Sequence, residues 1–367
     1  MILANDFKAE PMEIRVAMLN AVDRVINSGL YVLGNEVKLF EQAWAVRCGV
    51  GYAVGTGNGM DAIEIGLRAL SIGPGDEVIT TSMTAFATVL AIIRAGATPV
   101  LADIDANTAL IDIESAKRCI SPATKAIILV HLYGQIEDIA PWLALCSESS
   151  ISLIEDCAQS HLAQWGGKTA GSFGRFGAYS FYPTKNLGAV GDAGMLVTND
   201  EPLAHKASSI RNYGQSVRYH HPETGLNSRL DEIHAAMLSE RLKWLDEFTL
   251  RRRAVASAYR TGISNPNVQL MRALGDYSSH VYHLFVVRCK QRDALLAHLN
   301  NAGVQSLIHY PVPIHFQLTC REMARDPHGL ASSETHAQTC LSLPCHPYLS
   351  TMDVQTVIQS VNSFPGN

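Results

Sequence analysis

Three segments of the sequence carry residue types that could do chemistry, each directly after a short apolar run. The first, 55–62, opens a helical stretch, so its bare backbone N–H groups would lie at the positive end of a helix, where a phosphate binds well. The second contains Asp156, a carboxylate that a buried strand would deliver to the rim of a sheet. The third carries Lys185, a potential nucleophile, in a glycine-rich loop.

Together, these three signals match the needs of pyridoxal 5'-phosphate (PLP). A lysine can form a Schiff base with the aldehyde of this cofactor, and an acid can pair with the pyridinium nitrogen and keep the ring an electron sink. The glycine loop would hold the phosphate. Lys185 is therefore predicted to attach the cofactor, with Asp156 at the ring nitrogen.

Each segment also has an alternative interpretation. Residues 57–62 match the relaxed G-x-G-x-x-A pattern of a nicotinamide oxidoreductase, but Asp76 and Glu77 precede the next strand, which a ribose-binding acid should end. The loop could also be a purely structural turn. The run 167–169 lacks the glycine that a P-loop needs five residues earlier, where Leu162 stands. The strand-end acid could instead cap a helix, and the loop lysine could be a solvated surface charge.

The elements that must position these residues alternate between strands and helices. Short β-branched runs separated by helical stretches predict βαβ units, and hence a mostly parallel sheet covered on both faces. These runs are 52–54, 77–80, 98–102, 125–130 and 151–155. Two further runs, 177–181 and 193–198, leave no room for a helix between them, so we expect a mixed sheet that is partly antiparallel.

The rest of the chain is predicted to add helices before the sheet and a smaller unit after it. Apolar residues at helical spacing from position 14 to 26 predict a helix that Gly29 ends. The charged run 229–260 is interpreted as a long helical connector outside the core. A strand at 281–287 and helices at 292–301 and 354–361 then predict an α+β unit. We therefore expect a large PLP-binding domain, 1–245, and a small C-terminal domain, 246–367.

The composition excludes several classes of protein. Of 367 residues, 47% are hydrophobic and 17% charged, as in a globular enzyme. The formal net charge is −5 and no basic block is present, so no nucleic-acid partner is expected. No apolar run approaches the ~18 residues of a membrane span and no signal peptide is recognised, so we expect a cytoplasmic protein. The eight cysteines contain no C-x-x-C pair and are expected to be reduced core residues, and no metal site is predicted.

Eight ordered blocks, spread over nearly the whole chain, match one known pattern. They are 29–34, 73–79, 84–88, 155–161, 180–185, 191–194, 225–232 and 309–315. On these blocks the chain resembles the DegT/DnrJ/StrS family of sugar aminotransferases, a branch of the fold-type I (aspartate-aminotransferase-like) PLP enzymes. The resemblance implies a PLP-dependent transaminase.

The resemblance implies roles around the cofactor ring. Lys185 would bind the aldehyde and shuttle protons, and Asp156 would face the pyridine nitrogen. Phe86 would stack on the ring, and Gln159 would approach the ring hydroxyl. Because position 185 is lysine and not histidine, the branch of the family that removes a hydroxyl group is disfavoured.

The resemblance also implies how the phosphate is held. Ser180 and the backbone at Gly57 and Asn58 would contact it. The residue that matches Asn227 reaches the phosphate of the neighbouring subunit in this family, which implies a homodimer with shared active sites. The chain departs from the family pattern at three positions, none of which is the proposed lysine or acid. They are Met60, Leu162 and His234.

The substrate is expected to be a keto sugar linked to a nucleotide. The run 227–232, with His220 and His221 before it, is closer to family members that act on 3-keto than on 4-keto sugars. We therefore expect transfer of an amino group from an amino acid, L-glutamate, to C3 of a deoxysugar, by a ping-pong mechanism. A 4-keto substrate and a non-catalytic PLP-binding regulatory protein remain alternatives. Candidate sugar contacts, each of which could instead be structural, are Tyr31, His220, His221, Tyr310 and His315.

Overall fold

The computed structural model describes residues 1–366, and its centre is a seven-stranded sheet. In chain order, the strands are β1 (Tyr52–Thr56), β2 (Glu77–Thr81), β3 (Thr98–Ala102), β4 (Thr124–Val130), β5 (Ser152–Asp156), β6 (Gln164–Trp165), β7 (Lys168–Thr169), β8 (Phe176–Ser180), β9 (Gly194–Thr198), β10 (Gln269–Leu270), β11 (Phe285–Arg288) and β12 (Cys340–Leu343). The α-helices are α1 (Met12–Ser28), α2 (Asn35–Cys48), α3 (Gly59–Ala69), α4 (Phe86–Arg94), α5 (Ile113–Arg118), α6 (Ala140–Ser149), α7 (Glu201–Ile210), α8 (Glu232–Leu242), α9 (Leu245–Gly262), α10 (Arg292–Asn301), α11 (Ala331–Thr339) and α12 (Thr351–Asn362).

The central sheet is mixed and mostly parallel, as predicted. Its strand order is β1-β9-β8-β5-β4-β2-β3, with parallel pairing from β8 through β3. The strand β9 runs antiparallel to both β8 and β1, because the connection from β8 to β9 contains no helix to carry the chain back. The predicted strands of this sheet are all present, with ends shifted by at most two residues. The carboxyl ends of β2, β4, β5 and β8 therefore meet at one edge.

The alternation of side chains along β4 explains why both faces of the sheet are covered. Ile127 and Leu129 point into one apolar cluster, whereas Ala126 and Ile128 point into another on the opposite face. Successive residues of a strand face opposite sides, so a continuous apolar run needs a helical layer on each.

The interpretation of residues 229–260 as a connector outside the core is wrong. The segment is helical, but α8 packs against both α1 and α2, and its Ala235 and Leu238 are fully buried. Its charged residues Glu232 and Arg241 are themselves buried because both have partners in the fold. Glu232 accepts hydrogen bonds from the start of α2, and Arg241 donates to the Gly188 carbonyl.

After α9, the chain forms a small antiparallel sheet in the order β10-β11-β12, on which α10 and α12 pack around a separate apolar cluster. The predicted strand 281–287 begins later, at Phe285. The backbone N–H groups of Val281 and Leu284 instead donate to the carbonyls of Gly134 and Tyr133 in the loop after β4. These bonds join the small sheet to the carboxyl edge of the large one.

The eight cysteines are free and buried, as the sequence predicted. Within residues 1–366, no helix combines the length and the apolar character that a membrane span requires.

Candidate active site

Asp156 ends β5 and lies at the carboxyl edge of the central sheet. Its side chain is only 7% exposed. Its Oδ2 accepts a hydrogen bond from Thr88 Oγ1 at 2.7 Å, and its Oδ1 accepts one from the Ala158 N–H at 3.1 Å. A buried carboxylate is costly unless it is hydrogen-bonded, and these bonds fix its orientation. No helix begins after Asp156, so the helix-cap alternative is wrong.

Lys185 lies in the loop between β8 and β9, and its side chain is partly buried. Burial lowers the pKa of its amine to about 8, and the nearby charge of Asp156 opposes this shift. The charge of Lys185 also reaches buried histidines. Burial, reinforced by Lys185, lowers the pKa of His161 to about 3 and that of His309 to about 4. Lys185 therefore faces an enclosed region shared with Asp156 and is not a solvated surface charge.

The glycine loop before α3 packs directly against Ser180, the last residue of β8. A Cβ atom at Gly59 would come within 2.7 Å of Ser180 Cβ, so this close approach requires glycine. Asn58 caps α3, because its Oδ1 accepts a hydrogen bond from the Asp61 N–H at 2.8 Å. The N–H groups of Asn58 and Gly59 have no acceptor inside the helix and lie at its positive end.

The Gly57 N–H is already engaged within the chain. It donates to Ser228 Oγ at 2.9 Å, and that hydroxyl donates to Asp61 Oδ2 at 2.7 Å. The Gly57 N–H is therefore not free to bind an anion, unlike the prediction for this residue. Ser228 also ties the segment that carries Asn227 to this loop.

Three other predicted residues lie at the same edge. Phe86 begins α4, two residues before Thr88, and 37% of its surface is exposed. Gln159 follows β5, and its Nε2 donates to Tyr310 Oη at 3.1 Å while its Oε1 accepts from the Tyr133 N–H at 2.6 Å. Burial, reinforced by the charge of Asp156, raises the pKa of Tyr310 to about 12. Tyr310 is thus a neutral hydroxyl beside the strand-end acid.

His315 is buried, and both its ring nitrogens have protein partners. Nδ1 is 2.6 Å from Ser82 Oγ, and Nε2 is 3.2 Å from Glu334 Oε1. Ser82 directly follows β2, so the ring contacts the chain at the carboxyl end of this strand. These contacts favour the structural alternative for His315.

Four predicted residues lie on the surface of this chain. Tyr31 is 52% exposed and sits between α1 and α2. His220, His221 and Asn227 are exposed as well, and His221 Nδ1 is 2.9 Å from the Tyr213 carbonyl oxygen. No contact within residues 1–366 joins any of the four to Lys185 or Asp156. Their predicted roles would require a second chain or a bound substrate.

Two residues without a predicted role, Thr88 and Ser228, complete the hydrogen bonding of Asp156 and of the glycine loop. Thr88 did carry a signal. It follows Phe86 in the first turn of the helix after β2, a place that faces the carboxyl edge of a parallel sheet. Ser228 is adjacent to Asn227 in sequence, but its contact with Gly57 depends on tertiary structure.

A second buried acid, Glu155, is fully hydrogen-bonded. Its Oε2 is 2.9 Å from His131 Nε2 and accepts from the Gly171 N–H at 2.7 Å, and its Oε1 accepts from the N–H groups of Phe173 and Gly174. Cys157 Sγ lies in the same cluster. The four hydrogen bonds account for the burial of this carboxylate, whose function is to hold the loop 171–174 against β5.

Comparison with known proteins gives a consistent result. The model of the DegT/DnrJ/EryC1/StrS aminotransferase family matches residues 12–362. The dTDP-3-amino-3,6-dideoxy-alpha-D-galactopyranose transaminase of Aneurinibacillus thermoaerophilus is 43% identical over 359 residues, 98% of each chain. A pleiotropic regulatory protein of Geobacillus stearothermophilus is 39% identical over 363 residues, 98% of this chain and 97% of its own. The solved structure of DesV from S. venezuelae, in complex with a ketimine intermediate, is 40% identical with a TM-score of 0.95, covering 98% of this chain and 97% of DesV. The chain therefore belongs to the DegT/DnrJ/EryC1/StrS aminotransferase family, as its sequence predicted.

Proposed function

We propose that the protein is a PLP-dependent transaminase that moves an amino group from L-glutamate to the C3 keto group of a nucleotide-linked deoxysugar. The observation that carries the proposal is a partly buried lysine of lowered pKa, Lys185, within reach of the charge of the hydrogen-bonded Asp156 carboxylate. The 43% identical transaminase, whose name specifies a 3-amino dTDP-sugar, supports the substrate class.

The residues present fit PLP. The cofactor would supply an aldehyde for attachment to Lys185 and a ring that stabilises negative charge. The N–H groups of Asn58 and Gly59 at the start of α3, together with the Ser180 hydroxyl beside them, suit a phosphate. The oriented Asp156 carboxylate suits a ring nitrogen.

The chain's own groups would perform distinct tasks in the reaction. Lys185, as a free amine whose pKa is lowered to about 8, can take a proton from a substrate carbon and return it. Asp156 would hold a positive charge at the ring nitrogen, and the exposed ring of Phe86 would limit access to one face. The neutral hydroxyl of Tyr310, held by Gln159, offers a hydrogen bond at the same edge.

We further propose a homodimer with shared active sites. Helix α1 buries one side against α8, whereas its opposite side exposes an apolar stripe. This stripe consists of Met12, Val16, Leu19 and Ile26. An exposed apolar stripe of this kind is typical of an interface between chains. Asn227 is also exposed, next to a residue that holds the glycine loop, so it can point toward a second chain. A cytoplasmic location remains a prediction from the sequence.

The regulatory alternative is kept because one full-length relative is named a regulatory protein. The two functions differ in a measurable way. A transaminase should lose the absorbance of its lysine-bound cofactor when L-glutamate is added, and should regain it with the correct keto sugar nucleotide. Screening 3-keto and 4-keto sugar nucleotides for this recovery would identify the substrate. A protein that binds PLP but responds to no amino donor would be regulatory.

The attachment site is tested by borohydride reduction followed by mass spectrometry, which should place a phosphopyridoxyl group on Lys185. Lys185→Ala should lower turnover by about three orders of magnitude or more, because it removes the proposed nucleophile and proton carrier. The matched control, Lys168→Ala, changes an exposed lysine in β7 and should keep full activity. An adduct on another lysine, or an active Lys185→Ala protein, contradicts the proposal.

A further inference from the structure

We propose that Thr88 is a positioning residue that acts through Asp156 on the ring nitrogen of the cofactor, an inference that rests on the proposed function. Thr88 Oγ1 donates to Asp156 Oδ2 at 2.7 Å and has no surface exposed to solvent. Water therefore cannot replace this hydroxyl if it is removed. The contact joins the first turn of α4 to the end of β5, two elements that are distant in sequence.

The hydrogen bonds around Thr88 have a defined direction. Thr84 Oγ1 lies 3.0 Å from Thr88 Oγ1. A hydroxyl has one proton to donate, and an ionised carboxylate can only accept, so the proton of Thr88 goes to Asp156. The proton between the two threonines must then come from Thr84. Thr84 thus donates to Thr88, and Thr88 in turn donates to the acid.

This chain determines which part of the carboxylate stays free. Oδ1 accepts from the Ala158 N–H and Oδ2 accepts from Thr88, which leaves a further acceptor position on each oxygen for another donor. Hydrogen bonds to a charged group are among the stronger ones in proteins. Without Thr88, the carboxylate would lose its only side-chain donor among the described residues and could rotate away from the ring nitrogen.

The test measures how the Thr88 side chain affects the binding of two cofactors that differ in one ring atom. The apo protein is titrated with PLP and with 1-deaza-PLP, in which a CH group replaces the ring nitrogen, and both dissociation constants are measured. The lysine attachment and the phosphate are common to both, so their contributions cancel. In the Thr88→Val variant, which keeps the shape but not the donor, PLP should bind about tenfold more weakly and the deaza analogue less than twofold.

Two further variants separate positioning from folding. Thr88→Ser keeps the hydroxyl and should restore the PLP dissociation constant to within about twofold. Thr80→Val removes another fully buried threonine hydroxyl, one that donates to the Ile128 carbonyl, and should affect both cofactors equally. If Thr88→Val does not fold, Thr84→Val should show the same selective loss at about two- to threefold.

Three outcomes would overturn the inference. Equal weakening of PLP and 1-deaza-PLP by Thr88→Val would show a structural role only. A Thr88→Ser protein as weak as Thr88→Val would show that the hydroxyl is not the reason. If the wild-type protein binds neither cofactor, the proposed function fails and this inference fails with it, whereas selective failure of this test leaves the proposed function intact.

Discussion

The amine of Lys185 is shielded from water by the residues around it, and this lowers its pKa to about 8. An unperturbed lysine has a pKa of ~10.4, so at pH 7 about one Lys185 amine in ten would be free, instead of roughly one in 2,500. Asp156 limits the shift by stabilising the ammonium form. The balance of these two effects determines what fraction of Lys185 is present as the nucleophilic free amine near neutral pH.

This balance predicts the pH dependence of Lys185 itself. Because the pKa is lowered in the folded state, the free amine should appear as the pH rises through about 8. Trace acetylation of the apo protein between pH 6 and 11, read by peptide mass spectrometry, should show a midpoint for Lys185 near 8. In Asp156→Asn the midpoint should move to lower pH, because the opposing charge is gone. A midpoint near that of an unperturbed lysine would contradict the assignment.

At the scale of elements, Glu232 joins two helices that the sequence separates widely. Its carboxylate, at the start of α8, accepts hydrogen bonds from the N–H groups of Gly34, Glu36 and Val37 at 2.8, 2.9 and 3.0 Å. These are the first donors of α2, which have no acceptor in their own helix. A buried negative charge also suits the positive end of that helix.

Glu232→Gln should therefore destabilise the protein. The amide keeps one acceptor oxygen but turns an NH₂ group toward backbone donors, a loss of about 2 kcal/mol. The melting temperature should fall by about 3 °C. The control Glu247→Gln removes an exposed pair with Arg251 on α9 and should shift it by about 1 °C or less. Equal shifts in the two variants would show that Glu232 does not hold α2.

The sequence predicted the strands of the central sheet well, because apolar runs of strand length alternate with helices along the chain. It failed for α8, since charge was taken as exposure, and the partners that bury Glu232 and Arg241 come from distant segments. The same dependence on distant segments explains which candidate site residues could be predicted from the sequence. Lys185 and Asp156 could be found from their places after strands, whereas Thr88 and Ser228 are defined by contacts between elements whose order in the sheet a single sequence does not specify.

At the scale of the whole molecule, we propose a domain boundary between residues 245 and 246, where α9 begins.

The proposed dimer matters more for function. In one chain the surface residues Tyr31 and Asn227 make no contact with Lys185 or Asp156 among residues 1–366, so the proposed roles of the two would need a second chain.

Mixing two variants tests whether sites are shared. Lys185→Ala and Asn227→Ala homodimers should each have low activity. A mixed dimer would contain one site with both residues replaced and one site with both intact, so activity should recover to about a quarter of wild type when equal amounts are unfolded and refolded together. Sedimentation should show a dimer throughout. Activity no greater than the sum of the separate variants, or a monomer, would exclude shared sites.

The backbone of Ile2 is hydrogen-bonded between Gly303 and Gln305, next to the small sheet. The Ala4 N–H donates a hydrogen bond to the Gln305 side chain, and the Glu10 carboxylate accepts one from the Tyr348 hydroxyl. The first ten residues thus act as a strap across the C-terminal unit. A fragment that starts at residue 246 would lack this strap and expose backbone donors and acceptors around Val304, so cutting the gene at the domain boundary would not yield two independent halves.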